Sequence, residues 1–460
     1  MKLPVLKNSE FGIQNSEFGI RNSGIRNLKF QISNRHQSSA LCSSLPALPS
    51  LLPATPSAPL VTSFPFSTRL PKLLDDNPLT RAVAARRAAG LPVIDLTLAN
   101  PTQAGLDYPT AEISAALAEG AAAPYAPDPR GLPTARAAIA HYYRERHGTD
   151  IDPDRLHLTA STSEAYGSLF KLLGKPGAEV LAPQPSYPLV EHLSALEGWQ
   201  TKFFPLYCES DCRWRVDFTA LAAACTFATR AIALVHPHNP TGAFLHPADA
   251  KRIREFCAAK NLALIVDEVF LDYPAPGWEN HAHTFAETAG PALTFTLGGL
   301  SKSCGLPHLK LAWIHTGGPT ALASSAGARL DFVSDAYLNA ATPVQAALPQ
   351  LFALGEKIRA QIQKRLARNY LTLSLADWPE GFAVMPRDGG WTALVRSPAA
   401  PSAESLAIQL LNRTGILAHP GYFFDFDSAG PGYHALSLLP EPKEFSAAVS
   451  LLLEWLPKLV

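Results

Sequence analysis

From residue 66 onward, short apolar runs alternate with longer segments whose apolar residues return every three or four positions. The runs at 179–182, 231–235, 262–266, 293–297 and 311–314 are too short for helices. They are nearly continuous in apolar character, as strands buried on both faces are. Between them, 247–260 predicts a helix with Ile253, Phe256 and Cys257 on one face. The spacing also predicts helices over 77–89, with Pro78 at the first position and Gly90 past the end, and over 131–146. A long helical region spans 343–375, and the runs 391–395, 416–418 and 435–439 follow it. The expected fold class is α/β: a mostly parallel sheet flanked by helices on both sides, plus a smaller α+β domain. The expected division is an arm and part of the small domain at 66–111, a large domain at 112–342 and the small C-terminal domain at 343–460.

Residues 1–65 read differently. Asn8-Ser9-Glu10-Phe11-Gly12-Ile13 recurs as Asn15-Ser16-Glu17-Phe18-Gly19-Ile20, with a degraded third copy over 21–27, and a Ser/Pro/Leu stretch fills 38–65. A glycine in each copy and the lack of an apolar seam argue against a coiled coil. The segment is expected to be a disordered, low-complexity extension or a misassigned start. Its basic residues and serines also suit an organellar transit peptide, but the tandem repeat favours the first reading.

Composition narrows the partners. Lys plus Arg equals Asp plus Glu at 39 each in 460 residues, so no net field favours nucleic acid or an anionic membrane. No apolar run is long enough for a membrane span. The six cysteines are scattered, without metal-type spacing or a disulfide framework. A reduced, cytoplasmic, soluble enzyme is the expectation.

Three segments carry chemistry, each directly after an apolar run: Asn239-Pro240-Thr241-Gly242, Asp267-Glu268 and Gly298-Gly299-Leu300-Ser301-Lys302-Ser303-Cys304-Gly305-Leu306-Pro307. Each has a bland reading. Asn-Pro-Thr-Gly makes a turn without any ligand, Asp267 could cap the next helix, and a lysine in a Gly/Ser loop is usually solvated. Taken in order, an amide, an acid and an amine are the groups that hold and use pyridoxal phosphate. Ahead of them, Ser161-Thr162-Ser163-Glu164 reads as a capping box, and the same helix start offers hydroxyls and amides to a phosphate.

The order and spacing of these motifs resemble the class I/II aminotransferases, pyridoxal-phosphate enzymes of fold type I, from about residue 66 to the C-terminus. The resemblance implies the cofactor pyridoxal 5′-phosphate, held by Lys302 as a Schiff base, with Lys302 also the catalytic proton carrier. It implies that Asp267 pairs with the ring nitrogen and that Asn239 donates to the ring oxygen. Tyr187 would stack on the ring, and Ser161, Thr162, Ser163 and Lys310 would bind the phosphate. Tyr125 would reach the phosphate of a partner subunit, making the enzyme a homodimer with shared sites. Asn100, Arg130 and Trp391 are the expected substrate contacts. The implied activity is transfer of an amino group from an amino acid to a 2-oxo acid. A β-lyase or decarboxylase of the same fold is the first alternative, and a non-catalytic sensor the second.

Four positions depart from the family pattern. Phe270 stands where a tyrosine usually donates to the ring oxygen, and Gly299 where many members place a phosphate-binding serine. Lys310 replaces an arginine, keeping charge but losing the planar fork. Ala435 falls where an arginine takes the substrate α-carboxylate, in Gly432-Tyr433-His434-Ala435-Leu436-Ser437. Arg130 is the leading substitute and Arg396 the second.

Overall fold

A computed structural model describes residues 66–71, 76–122, 124–209, 213–279, 283–338, 340–399, 402–426 and 430–460. The repeat-bearing extension, 1–65, lies outside the described residues, as does Cys212. The chain divides into two units, Met1–Asn77 and Pro78–Val460. In the first, Leu70 N–H closes a turn on Ser67 O at 3.2 Å. All further elements belong to the second.

An eight-stranded sheet forms the centre. Its strands are β1 (Leu156–Thr159), β2 (Glu179–Gln184), β3 (Gln200–Cys208), β4 (Trp214–Val216), β5 (Thr229–Val235), β6 (Ala263–Asp267), β7 (Thr294–Gly299) and β8 (Ala312–Gly317). The spatial order is β1-β8-β7-β6-β5-β2-β3-β4. Strands β3, β2, β5, β6 and β7 run parallel, β8 is antiparallel between β7 and β1, and β4 is an antiparallel edge. Successive side chains of a strand point to opposite faces, and here both faces are apolar. Ile265 packs with Tyr166, Phe170 and Phe295 on one side, while Leu264 and Val266 pack with Ile253 and Cys257 on the other. Each such side chain contributes about 1.5–3 kcal/mol on burial, so the central strands are fixed in both register and depth.

The β3–β4 hairpin was not anticipated. Strand β3 alternates exposed and partly buried positions, with only Phe204 fully buried, a weaker signal than the buried runs. The expected helix at 343–375 is two, Thr342–Ala346 and Leu348–Ser374, the second with Pro349 in its first turn, where a missing N–H costs nothing.

A second, antiparallel sheet has the order β9-β10-β12-β11, from Ala383–Val384, Thr392–Ser397, Gly432–Ser437 and His419–Pro420 respectively. Strand β12 starts three residues before the expected run at 435–439, because Gly432 and Tyr433 already pair with Ser397 and Arg396. The helix Pro78–Ala88 lays Leu79 and Val83 on Ala407, Leu411 and Leu417. Ile94–Asp95 pairs in parallel with Ile416–Leu417. Beyond it the chain is held to β12: Ser437 N–H donates to Leu96 O at 2.7 Å and Ser437 Oγ to Leu98 O at 2.5 Å. This brings residue 99 to the C-terminal edge of the large sheet. Among the described residues no helix is long and apolar enough to cross a membrane.

Candidate active site

Strands β5, β6 and β7 are neighbours, and each ends in one of the three chemical segments. Asn239 lies in the loop after β5, Asp267 is the last residue of β6, and Lys302 sits in a helical turn, Leu300–Ser303, after β7. Ligands of open α/β sheets bind at these carboxyl ends.

The loop bearing Lys302 is anchored on its carbonyls. Tyr273 Oη donates to Lys302 O at 2.5 Å, Arg359 Nη1 to Ser303 O at 2.9 Å and Tyr108 Oη to Gly305 O at 2.7 Å. Two glycines are required by space. A Cβ on Gly298 would lie 2.5 Å from the Trp313 ring, and Gly305, at φ +67°, has Ile358 Cγ2 2.6 Å from where a Cβ would sit. Gly299, at the family's serine position, is nearly as tight: a Cβ there meets Ala312 Cβ at 3.0 Å.

The Lys302 side chain points into a cleft, partly open but walled by protein. Its Nζ donates to Ala99 O at 2.8 Å and lies 4.4 Å above the centre of the Trp391 ring and 5.6 Å from that of Phe270. These walls strip water from the ammonium and pull its pKa down to about 8, opposed only in part by Asp267. Asp267 is 4% exposed. Burial raises its carboxyl to about 7; Val269 N–H, donating at 3.2 Å, and the Lys302 charge counteract this. No ion pair reaches Asp267 among the described residues. Tyr166 Oη, close enough to feel the Asp267 charge, is buried without a hydrogen-bond partner, and so is Asn239 Oδ1. A buried acid lacking a cation and two unsatisfied polar atoms leave hydrogen-bonding capacity that a polar ring could use. The residues present therefore fit pyridoxal phosphate.

Ser161 caps the helix Thr162–Leu173: its Oγ accepts from Glu164 N–H at 3.1 Å, while Glu164 Oε2 accepts from Ala160 N–H at 2.6 Å. The box therefore closes on Ala160 rather than on the backbone of Ser161 itself. Thr162 and Ser163 open the first turn at the end of β1. Tyr187 is partly buried against Phe423 and Phe424, and its loop is held there by Ser186 N–H donating to Phe424 O at 2.8 Å. Lys310 is exposed, with left-handed backbone at φ 51°. Tyr125 leaves 71% of its surface open.

The substrate residues divide. Trp391 is at the centre, its ring beneath Lys302. Asn100 is one residue beyond the carbonyl that touches Lys302, but its own Oδ1 accepts from Thr102 N–H and Oγ1 as a local cap. Arg130 is engaged within the protein. Its guanidinium forms a bidentate pair with Asp331 at 2.7 and 2.8 Å and also donates to Asp154 O, with His157 on the same carboxylate. Those donors are committed to protein acceptors. Ala435 is buried in a cluster with Met385, Leu394 and Phe424, bordered by Tyr187, Phe423, Phe426 and Tyr433. Arg396 lies on that same face of the small sheet, opposite Tyr433. It is partly buried, and its side chain forms no hydrogen bond or ion pair among the described residues.

Sequence reasoning missed Ala99, Tyr166 and Tyr273. Ala99 acts through its backbone, and no side-chain pattern could mark it. The tyrosines lie on buried faces, where they read as core.

A family model described as aminotransferase class I and II matches residues 92–433. The chain belongs to that family. The arginine–pyruvate transaminase AruH of Pseudomonas aeruginosa is 31% identical over 68% of this chain and 78% of its own length. The glutamate–pyruvate aminotransferase AlaA of Haemophilus influenzae is 25% identical over 85% of this chain and 98% of its own. The structure of an aminotransferase from Escherichia coli superposes with a TM-score of 0.73 at 23% identity, covering 86% of this chain and 99% of that one, which shows the fold. This class I/II aminotransferase is thus a pyridoxal-phosphate enzyme of fold type I that moves an amino group from an amino acid to a 2-oxo acid.

Proposed function

We propose that Lys302, Asp267 and Asn239 form the centre of this aminotransferase, with Lys302 as the catalytic base. The observation that carries the reading is the position of the Lys302 amine, on the face of Trp391 and at the ends of the three strands that deliver Asn239 and Asp267. Pyridoxal phosphate, when bound, supplies a carbonyl that condenses with amines and a ring that withdraws electrons from the breaking bond. Lys302 Nζ, with a pKa near 8, is partly neutral around neutral pH, so it would hold the cofactor and can carry a proton at the substrate's Cα. Asp267, buried and without a cation of its own, keeps a proton on the ring nitrogen. Asn239 orients the ring oxygen, and Phe270 leaves it without the usual second donor. Tyr187 covers the ring. Ser161, Thr162 and Ser163 bind the phosphate through hydroxyls and first-turn amides, with Lys310 adding charge. Trp391 and the 99–100 segment exclude water from the amine.

Arg396 is the group assigned to the substrate carboxylate. It shares a sheet face with Ala435, and its side chain is free of protein partners among the described residues. The two named relatives both use pyruvate, which makes pyruvate the first acceptor to try. The open ring of Tyr125 supports a homodimer in which it serves the partner's phosphate. Cys257 and Cys304, buried thiols outside any disulfide, support a cytoplasmic setting. The pairing of Ile94–Asp95 with Ile416–Leu417 supports a small domain built from both ends of the described chain, with the large domain at 112–342.

The test is the absorbance of the purified protein with pyridoxal phosphate, before and after addition of single amino acids. The bound-cofactor band should be discharged by at least one amino acid and restored by pyruvate or another 2-oxo acid, and Lys302→Ala should show neither change. A Lys302→Ala protein that still cycles between the two forms would remove Lys302 from this role.

A further inference from the structure

Behind the site, on the far side of Tyr273, lies a cavity of about 470 Å³, within the range of small-molecule pockets. Its wall includes Arg146, His147, Asp272, Tyr273, Gln363 and Arg387. The charges there are unevenly satisfied. Asp272 is buried but fully served: Arg146 Nε donates to Oδ1 at 3.1 Å and Tyr142 Oη to Oδ2 at 2.7 Å, with His147 Nε2 3.6 Å away. Glu279, at the exposed rim, accepts from Gly277 N–H. Arg387 differs. It is 6% exposed, and its guanidinium donates only to backbone carbonyls, Gly389 O at 3.2 Å and Gly390 O at 2.8 Å. It stacks over the Tyr370 ring at 5.2 Å, and among the described residues no carboxylate pairs with it through a hydrogen bond. The neighbouring Asp388 instead accepts from Phe244 N–H. The Asp388 charge reaches Arg387 only through space, and a buried guanidinium that no acid contacts directly is an expensive arrangement that a bound anion relieves.

The same residues connect to the catalytic lysine. Gly390 N–H donates to Tyr273 O at 2.9 Å, and Tyr273 packs edge-on against Trp391 with ring centres 5.2 Å apart. Tyr273 Oη holds the Lys302 carbonyl, and Trp391 carries the Lys302 amine. We propose that this cavity is a binding site for a small carboxylate anion, separate from the substrate site, with Arg387 as its principal ligand. An anion competing for the Arg387 donors loosens their hold on Gly389 and Gly390, and that change reaches Lys302 through Trp391 and Tyr273.

Citrate is the probe. Calorimetric titration of the cofactor-loaded enzyme should show one citrate per chain, undiminished by a saturating amino-acid substrate, with a small shift of the bound-cofactor absorbance. Arg387→Gln should weaken citrate binding about tenfold or more, the worth of one charge-assisted hydrogen bond. Because Arg387 is buried and its variant could fold poorly, Ala367→Phe serves as a second: Ala367 also lines the cavity, so the larger side chain fills it without removing a charge. It too should abolish or strongly weaken binding. The proposal is overturned if citrate fails to bind in the millimolar range, if substrate displaces it, or if its affinity survives both substitutions. The binding arm is independent of the role assigned to Lys302, so Lys302→Ala should bind citrate as the wild type does even though it cannot transaminate.

Discussion

Replacing Asp267 by asparagine should stabilise the cofactor-free protein and cripple the enzyme. Burial lifts the carboxyl from its ordinary 3.8 to about 7. Ionising it in the fold therefore costs up to about 4 kcal/mol more than in the unfolded chain, at 1.36 kcal/mol per pH unit. Because the folded pKa lies above the unfolded one, the native state keeps this proton after the unfolded chain has lost it. The native state then binds more protons between about pH 4 and pH 7, and stability falls as pH rises through that window. Asparagine preserves the shape and the oxygen that accepts from Val269 N–H, without the charge. Wild type and Asp267→Asn should thus unfold at similar denaturant concentrations near pH 4.5. Near pH 8 the variant should be the more stable by a few kcal/mol. Glu268, pushed up to about 8 by burial, is present in both proteins, so the difference between the two curves isolates Asp267 to first order. With cofactor bound the sign reverses, because the ring nitrogen loses its buried counter-charge. Removing one partner of a buried pair costs about 3–5 kcal/mol, so activity should fall by a factor of hundreds to thousands. The measurements are denaturant melts of the cofactor-free proteins at the two pH values and steady-state rates of the loaded ones. A variant less stable than wild type at pH 8, or one that keeps full activity, would refute the picture of a buried carboxylate held for the cofactor.

Two further outcomes separate overlapping roles. Ser161→Ala should lower stability by about 0.5–2 kcal/mol through loss of the cap, whereas Ser161→Gly should cost only a few tenths. If the hydroxyl also binds phosphate, both should raise the cofactor Kd severalfold in equilibrium dialysis, and a wild-type Kd in Ser161→Gly would confine Ser161 to capping. Arg396→Met should raise KM for the amino acid about 10–100-fold, the worth of a hydrogen bond to a charged group, with Arg396→Lys recovering part of the loss. An unchanged KM would place the carboxylate contact elsewhere.

The large sheet was legible because its central strands are buried on both faces, which writes them into the sequence as unbroken apolar runs. The three chemical segments were legible because each directly follows such a run, and a parallel sheet delivers strand ends to one edge. The small sheet was read with its strand displaced, since Gly432 and Tyr433 carry no apolar signal yet complete the pairing with Arg396 and Ser397. The partner of Arg130 was not legible for a different reason: its position beside the Tyr125 loop suggested a ligand, and Asp331, about two hundred residues away in sequence, pairs with its charge. Pairings between distant side chains are set by the fold, and a single sequence gives no measure of them. The same holds for the cavity beside Arg387, whose walls come from four separate stretches of chain.

The thread from Leu96 to Ala99 has one end fastened to Ser437 of the small sheet and the other to the amine of Lys302. It works as a tether between scaffold and reagent. Any shift of the C-terminal sheet away from the large one would draw the Ala99 carbonyl with it and release Lys302 Nζ, and a shift toward it would return an acceptor that favours the protonated amine. The availability of the Lys302 amine would thereby be tied to the position of the sheet that also carries Arg396.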